Sequence, residues 1–306
     1  MTASTSTSDI LQGDSYRVVN DDCIRHMATL PPACFDLAVF SPPFPSVYAY
    51  TSLESDLGNS EGLKTDAKLH FGFFFKSIVR VMKPGRVMMV HCTQIPRMKR
   101  AGGTGLFDFR GLLIRLGERA GFTFEYDWLV RRNPQAQAIR TRSRELQFAG
   151  LESDRCRQRG ALGDYLLKFT APGDNECPID DRGEVSRNEW IDWAEACWSD
   201  IKETDTLNVS GTKGEGDTRH ICPLQLGIIE RLVRLYSSRG ELVFDPFSGI
   251  GSTGYISLLR GRRYYGIELK DEYHQISLRN LERAVRTRTE SSRTLFDEVD
   301  VSDPVR

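Results

Sequence analysis

Apolar residues fall along the chain in two alternating patterns. FDLAVF (35–40), VMMVHC (87–92) and ELVFD (241–245) are short, near-continuous apolar runs, the pattern of strands buried on both faces of a parallel sheet. Apolar residues spaced three and four apart predict helices over 69–82, over 107–121 with Gly121 as its stop, and over 223–240 with Gly240 as its stop. YRVVNDD (16–22) reads as a strand entering the helix CIRHMATL, and KPGR as the turn before VMMVHC. FTFEYDWLVRR and RRYYGIEL read as further strands, STGYISLLRG and EYHQISLRNLERAVR as further helices. Alternation of strand and helix predicts βαβ units, an α/β sheet with helices on both faces. Residues 133–220 lose the pattern, apart from a strand at DYLLKFT (164–170), and read as an insertion. Residues 1–14 and 286–306 read as a disordered tail and a flexible one.

Composition narrows the class. With 40% hydrophobic and 27% charged residues among 306, the chain is globular in composition. No apolar stretch is long enough to span a bilayer, and the polar start lacks the pattern of a signal peptide. The seven cysteines are scattered, with no C-x-x-C pair, which predicts a reducing, cytoplasmic location and no metal site. Net charge is only −1, but Arg97 to Arg144 holds eleven basic and four acidic residues, a balance of +7. Asp174 to Asp217 holds thirteen acidic and four basic, a balance of −9. Such asymmetry either hides a basic nucleic-acid surface behind a neutral sum or marks two solvated faces.

VFDPFSGIGSTG (243–254) is a strand, a glycine turn and a helix, with Gly249, Gly251 and Gly254 spaced G-x-G-x-x-G. Glycines allow a tight turn and close ligand approach, and a helix N-terminus favours acceptor groups. Glu268 follows Gly249 by nineteen residues, where an acid accepts ribose hydroxyls. The set fits an adenine cofactor with a ribose, NAD included, or a glycine turn with no ligand. Two features disfavour NAD: the 52 residues after Gly254 are too few for a second nucleotide half, and Asp245 offers a charge suited to a cationic ligand. S-adenosylmethionine carries an ammonium and a sulfonium.

Ser41, Pro42, Pro43 and Phe44 follow the FDLAVF strand at its carboxyl end, where open α/β sheets bind ligands. Two prolines fix the backbone, so the Pro42 carbonyl can face outward as an acceptor beside the Ser41 hydroxyl. Phe44 adds a flat apolar face. Two acceptors and a ring suit a planar heterocycle bearing an exocyclic amine. Acceptors on both N–H bonds favour a pyramidal nitrogen whose lone pair aims at an activated methyl. Ring-carbon methylation would need a thiolate, typically within Pro-Cys, and the sequence has no Pro-Cys. Read alone, the tetrapeptide could equally just end a strand.

Together, SPPF after FDLAV and VFDPFSGIGST with YYGIE two hundred residues later resemble the amino-DNA methyltransferases, in the circularly permuted β-group order with the catalytic motif first. The resemblance covers roughly 15–285. It implies a Rossmann-like, S-adenosylmethionine-dependent fold with a seven-stranded, mostly parallel sheet. It implies a catalytic half at 15–132, a target-recognition region at 133–217 and a cofactor half at 218–285. Ser41, Pro42, Pro43 and Phe44 align with the catalytic tetrapeptide. Asp245, Phe247, Ser248, Gly249, Gly251 and Ser252 align with the cofactor loop, and Glu268 with the ribose acid. Asp22 aligns with a contact to the adenine end, and His220 with the segment ahead of the cofactor helix, where it could instead be a helix-entry residue. Arg131, Arg132, Arg140, Arg142 and Arg144, at the edge of the variable region, are expected to meet phosphates of double-stranded DNA. Enzymes of this family that begin the tetrapeptide with Ser mostly methylate cytosine N4, and those with Asp or Asn adenine N6. Ser41 therefore implies cytosine, with adenine as the alternative. A cognate restriction endonuclease is a possible partner; the resemblance leaves oligomeric state open. Methyltransferases of RNA or protein glutamine share an x-Pro-Pro-aromatic site but resemble the order with the glycine loop first. A catalytically dead DNA-binding relic would show a damaged motif, and both motifs are intact.

Overall fold

The computed structural model describes residues 10–11, 14–44, 66–97, 105–141, 151–157, 159–207 and 223–299. Its strands are β1 (Tyr16–Asn20), β2 (Phe35–Phe40), β3 (Met82–Thr93), β4 (Ile95–Pro96), β5 (Leu106–Phe107), β6 (Thr123–Val130), β7 (Asp164–Thr170), β8 (Cys197–Trp198), β9 (Leu242–Asp245) and β10 (Arg263–Glu268). Its α-helices are α1 (Cys23–Thr29), α2 (Asp66–Val81), α3 (Phe109–Ala120), α4 (Pro134–Thr141), α5 (Arg187–Trp193), α6 (Leu226–Tyr236), α7 (Ser252–Leu259) and α8 (Asp271–Val299). Eight strands form one sheet in the order β1-β10-β9-β2-β3-β7-β6-β8, and β4 pairs with β5 separately. From β1 to β3 all neighbours are parallel; β7 runs antiparallel to both β3 and β6. The sheet has eight strands where seven are implied, because the two-residue β8, from the variable middle, pairs in parallel with the end of β6.

The apolar run of β2 is buried at every position because it packs on both sides. Ala38 and Phe40 join one layer with Phe71, Phe74, Phe75 and Ile78 of α2 and Phe109 and Leu113 of α3. Leu37 and Val39 join the other, with Ile228, Ile229, Leu232 and Val233 of α6. This is the period-two alternation of a strand with a helix layer on each face. Its one charge, Asp36, is satisfied internally: it accepts from Lys83 Nζ at 2.5 Å and from the Leu242 N–H at 2.9 Å.

Helix ends follow local chemistry. Asp22 caps α1 by accepting from the Arg25 N–H, and Asp108 caps α3 through the Gly111 N–H. Gly121 takes φ 108° and stops α3 as its position predicts. Gly240 does not stop α6: the helix ends at an extended Ser237, and Gly240 sits in the following turn with φ 80°. KPGR is not a free turn before β3 but a bulge inside it, the register jumping from Phe35–Met82 to Leu37–Val87. The last helix runs on to Val299, past Arg286, where fraying is expected.

The middle region holds more regular structure than its pattern suggests: α4, α5, β8 and a 3₁₀ turn at Arg155–Arg157. Part of its acidity is docked. Glu184 accepts from Arg239 at 2.9 Å and from the fully buried Arg262 at 3.1 Å, and Glu189 from Arg234 at 2.8 Å. Those carboxylates tie the middle region to α6 and to the turns on either side of β9 and α7. Among the described residues no helix is long and apolar enough to cross a membrane.

Candidate active site

Parallel strands deliver their carboxyl ends to one edge of the sheet, and the antiparallel β7 delivers its first residue there. Across that edge stand Asp22 after β1, Glu268 at the end of β10, Asp245 at the end of β9, Ser41 after β2, His91 near the end of β3, Asp164 opening β7, and Arg132 after β6. The two sequence motifs, two hundred residues apart, lie on adjacent strands: Leu37 pairs with Val243 and Ala38 with Phe244. Beyond the strands the contact continues, with the Phe40 and Phe247 rings 5.7 Å apart and Thr253 Oγ1 donating to the Val39 carbonyl at 3.3 Å.

The glycine loop is built for backbone approach. Gly249 and Gly251 hold φ 54° and 84°, where an L side chain is strained, and a Cβ on Gly251 would stand 2.6 Å from Ser277 Oγ. Ser248 donates its N–H to the Ile267 carbonyl, pinning the loop to β10. Glu268 reaches back and accepts from the Gly249 N–H at 2.7 Å and the Lys270 N–H at 2.9 Å. Gly251 gives α7 no side-chain cap, and the buried Ser252 hydroxyl has no partner among the described residues. Uncapped N–H groups and an orphaned hydroxyl fit a ligand that supplies acceptors there.

Asp245 is buried and accepts from the Phe247 N–H at 2.9 Å. Burial pushes its carboxyl from 3.8 up to about 7, the backbone hydrogen bond opposing and the Glu268 charge adding. A cation arriving at this carboxyl would favour the ionised form.

On the other side, Pro42 is buried and Ser41 and Phe44 are half-buried. Phe44 meets Phe109 edge to face at 5.9 Å. Ser41 Oγ lies 3.0 Å from His91 Nδ1; His91 Nε2 lies 3.0 Å from Asp164 Oδ2. Arg132 Nε donates to the same Asp164 oxygen at 2.6 Å, and its far side approaches Glu203 at 3.6 Å. Although burial pushes Asp164 up, His91 and Arg132 hold its carboxyl below the ordinary value.

The expected phosphate-binding arginines divide. Arg131 is exposed. Arg132 is not: its side chain is 12% exposed and forked onto Asp164 as an internal ion pair. Arg140 lies on α4, its side chain outside the described residues, and Arg142, Arg144 and His220 also lie outside them. Asp22 stands at the expected edge, where one of its oxygens caps α1. His91 and Asp164 were not legible as site residues. The signal was present, a histidine at the end of a buried strand, but its partner sits seventy-three residues away.

A family model described as DNA methylase, of the N6 and N4 class, matches residues 35–279. The type II methyltransferase M.BglI of Bacillus subtilis is 29% identical over 122 residues, 39% of this chain and 30% of that protein. The DNA adenine methyltransferase YhdJ of Escherichia coli is 37% identical over 55 residues, 18% of this chain and 19% of that protein. The matched segments thus span about a third or less of those curated relatives. Among solved structures, TTHA0409 of Thermus thermophilus, described as a DNA modification methylase and complexed with S-adenosyl-L-methionine, superposes with TM-score 0.65 at 20% identity, covering 88% of this chain and 94% of that one. The cytosine-N4-specific PvuII DNA methyltransferase superposes with TM-score 0.60 at 18% identity, covering 90% and 93%. At such identities these two likenesses concern the fold.

Proposed function

The chain belongs to the N4-cytosine/N6-adenine DNA methylase family, and from that premise we propose that it transfers a methyl group from S-adenosylmethionine to an exocyclic amine of a base in double-stranded DNA. The observation that carries the reading is the pairing of β2 with β9, which brings the Ser-Pro-Pro-Phe end and the glycine loop side by side. S-adenosylmethionine supplies a sulfonium-borne methyl. Glu268 would accept from its ribose hydroxyls, Asp245 would face its cationic end, and Asp22 would stand at its adenine end. The uncapped start of α7, with the Ser252 hydroxyl, would take the acceptor groups; Gly249 and Gly251 let the ligand approach the loop backbone, and Phe247 and Ser248 shape the loop.

Duplex stacking hides the exocyclic amine, so the target base is flipped out. Phe44, propped by Phe109, stacks on it. Ser41 Oγ and the Pro42 carbonyl accept its two N–H groups, and Pro43 holds that carbonyl outward. Of the two bases, Ser41 favours cytosine N4. Adenine N6 is the second reading, since YhdJ, an adenine enzyme, is among the similar proteins. The order of the motifs is the circularly permuted one, with 15–132 as catalytic half, 133–217 as target-recognition region and 218–285 as cofactor half. The exposed Arg131 contacts phosphate, and the setting is a cytoplasmic modification enzyme alongside a restriction endonuclease.

The test offers methyl-labelled cofactor with genomic DNA, total RNA and protein, followed by nucleoside mass spectrometry. N4-methylcytosine in DNA supports the full reading. N6-methyladenine alone changes the base, and label confined to RNA or protein overturns the reading.

A further inference from the structure

The chain of contacts Arg132–Asp164–His91–Ser41 crosses four neighbouring elements and ends on the hydroxyl assigned to the target amine. Every link has a defined polarity. Asp164 is nine-tenths buried or more and receives Arg132 through Nε at 2.6 Å and through a second guanidinium nitrogen, so it stays an anionic acceptor. An acceptor 3.0 Å from His91 Nε2 places the imidazole proton on that nitrogen. Neutral imidazole then has a lone pair at Nδ1, 3.0 Å from Ser41 Oγ, and only the serine O–H can fill that contact.

We propose that His91, oriented by the Asp164–Arg132 pair, is a positioning residue for methyl transfer: it holds the Ser41 proton away from the substrate and receives it as the reaction proceeds. The inference rests on the proposed amine methylation. A serine hydroxyl is ordinarily both donor and acceptor, and a freely rotating proton would compete with the amine's own N–H. Tied to His91, Ser41 presents only lone pairs to the base.

The proton balance follows. When the amine nitrogen gives its lone pair to the methyl carbon, the carbon–sulfur bond breaks with its pair left on sulfur, and the nitrogen becomes cationic. It sheds one proton to Ser41 Oγ while the serine proton passes to His91 Nδ1. The imidazolium so formed faces the Asp164 carboxylate and loses the proton to solvent before the next cycle. The charged or titratable groups around the imidazole are Asp164 from β7 and, behind it, Arg132 from the end of β6 with Glu203 on its far side; β2 contributes the neutral Ser41 hydroxyl.

Two measurements test this. In His91→Gln, kcat should drop by about a hundredfold, with KM for cofactor and DNA within about twofold of wild type. Nitrogen-detected NMR on the wild-type protein should show His91, one of five histidines, as the neutral tautomer protonated at Nε2 near pH 8. Unchanged kcat in an active, folded variant overturns the role, and an Nδ1-protonated tautomer overturns it whether or not the variant folds. A wild-type protein that methylates no DNA would overturn the methylation reading and, with it, the role in transfer; the tautomer would then report only on the resting proton arrangement.

Discussion

Asp245 offers a prediction whose sign and size both come from its burial. Replacing it with Asn keeps an oxygen to accept the Phe247 N–H but removes the titration. In the folded protein the carboxyl is raised from 3.8 to about 7, and at about 1.36 kcal/mol per pKa unit this amounts to roughly 4 kcal/mol of penalty on the ionised form. The group is raised, so the folded state binds its proton more tightly than the unfolded state does. Its contribution is fully present below the unfolded value and is lost as pH climbs toward 7. Between about pH 5 and pH 8, roughly two pH units lie below the folded value, so Asp245→Asn should gain about 3 kcal/mol relative to wild type over that interval. Any fixed cost of the substitution cancels in this difference. Urea unfolding of both proteins at the two pH values measures it. In the wild type, a cationic ligand facing Asp245 should bind more tightly as pH rises to about 7 and level off above it, and calorimetry with S-adenosylmethionine should show proton release near pH 6. A stability offset independent of pH would refute the buried, protonated carboxyl. Release of no proton would refute its meeting the ligand's positive charge.

Other consequences are simpler. Glu268→Ala should weaken S-adenosylmethionine binding by about ten- to a hundredfold, the worth of roughly 1.5–3 kcal/mol in charge-assisted hydrogen bonds; unchanged affinity by calorimetry would remove it from the ribose. Phe44→Tyr should be mild and Phe44→Ala severe in DNA methylation, with about 1–3 kcal/mol of stacking lost and cofactor affinity spared; equal activity of the alanine variant would leave Phe44 only its packing on Phe109. Arg131→Gln should flatten the slope of log DNA affinity against log salt by about one unit. Arg132→Gln should leave that slope alone and destabilise the fold by up to about 3 kcal/mol, since it removes the guanidinium from buried Asp164 and leaves the carboxylate only its His91 hydrogen bond.

The chain by itself determined the elements whose signals are local. FDLAVF, VMMVHC and ELVFD read as buried strands because their apolar residues are consecutive, and Gly121 read as a helix stop because left-handed φ favours glycine. The glycine loop and the Ser-Pro-Pro-Phe end were legible for the same reason, each holding its geometry within a dozen residues. Short elements of the middle were not. The seven residues of α5 hold only two turns, and the two of β8 carry no periodicity at all; they exist because β6 and α6 offer partners. Gly240 misled because a glycine shortly after an apolar periodic run looks like its stop, whereas the helix ends four residues earlier and the backbone has already turned extended at Ser237. The arginines show the limit most clearly. In sequence Arg131 and Arg132 are equivalent neighbours, yet one faces solvent and the other pairs with Asp164. Strand order made that choice: β7 runs antiparallel between β3 and β6, so its first residue, Asp164, lands between His91 and Arg132. Periodicity records which side of its own strand a residue occupies. Which partner it meets across the edge is a property of strand order, and only the folded sheet holds it.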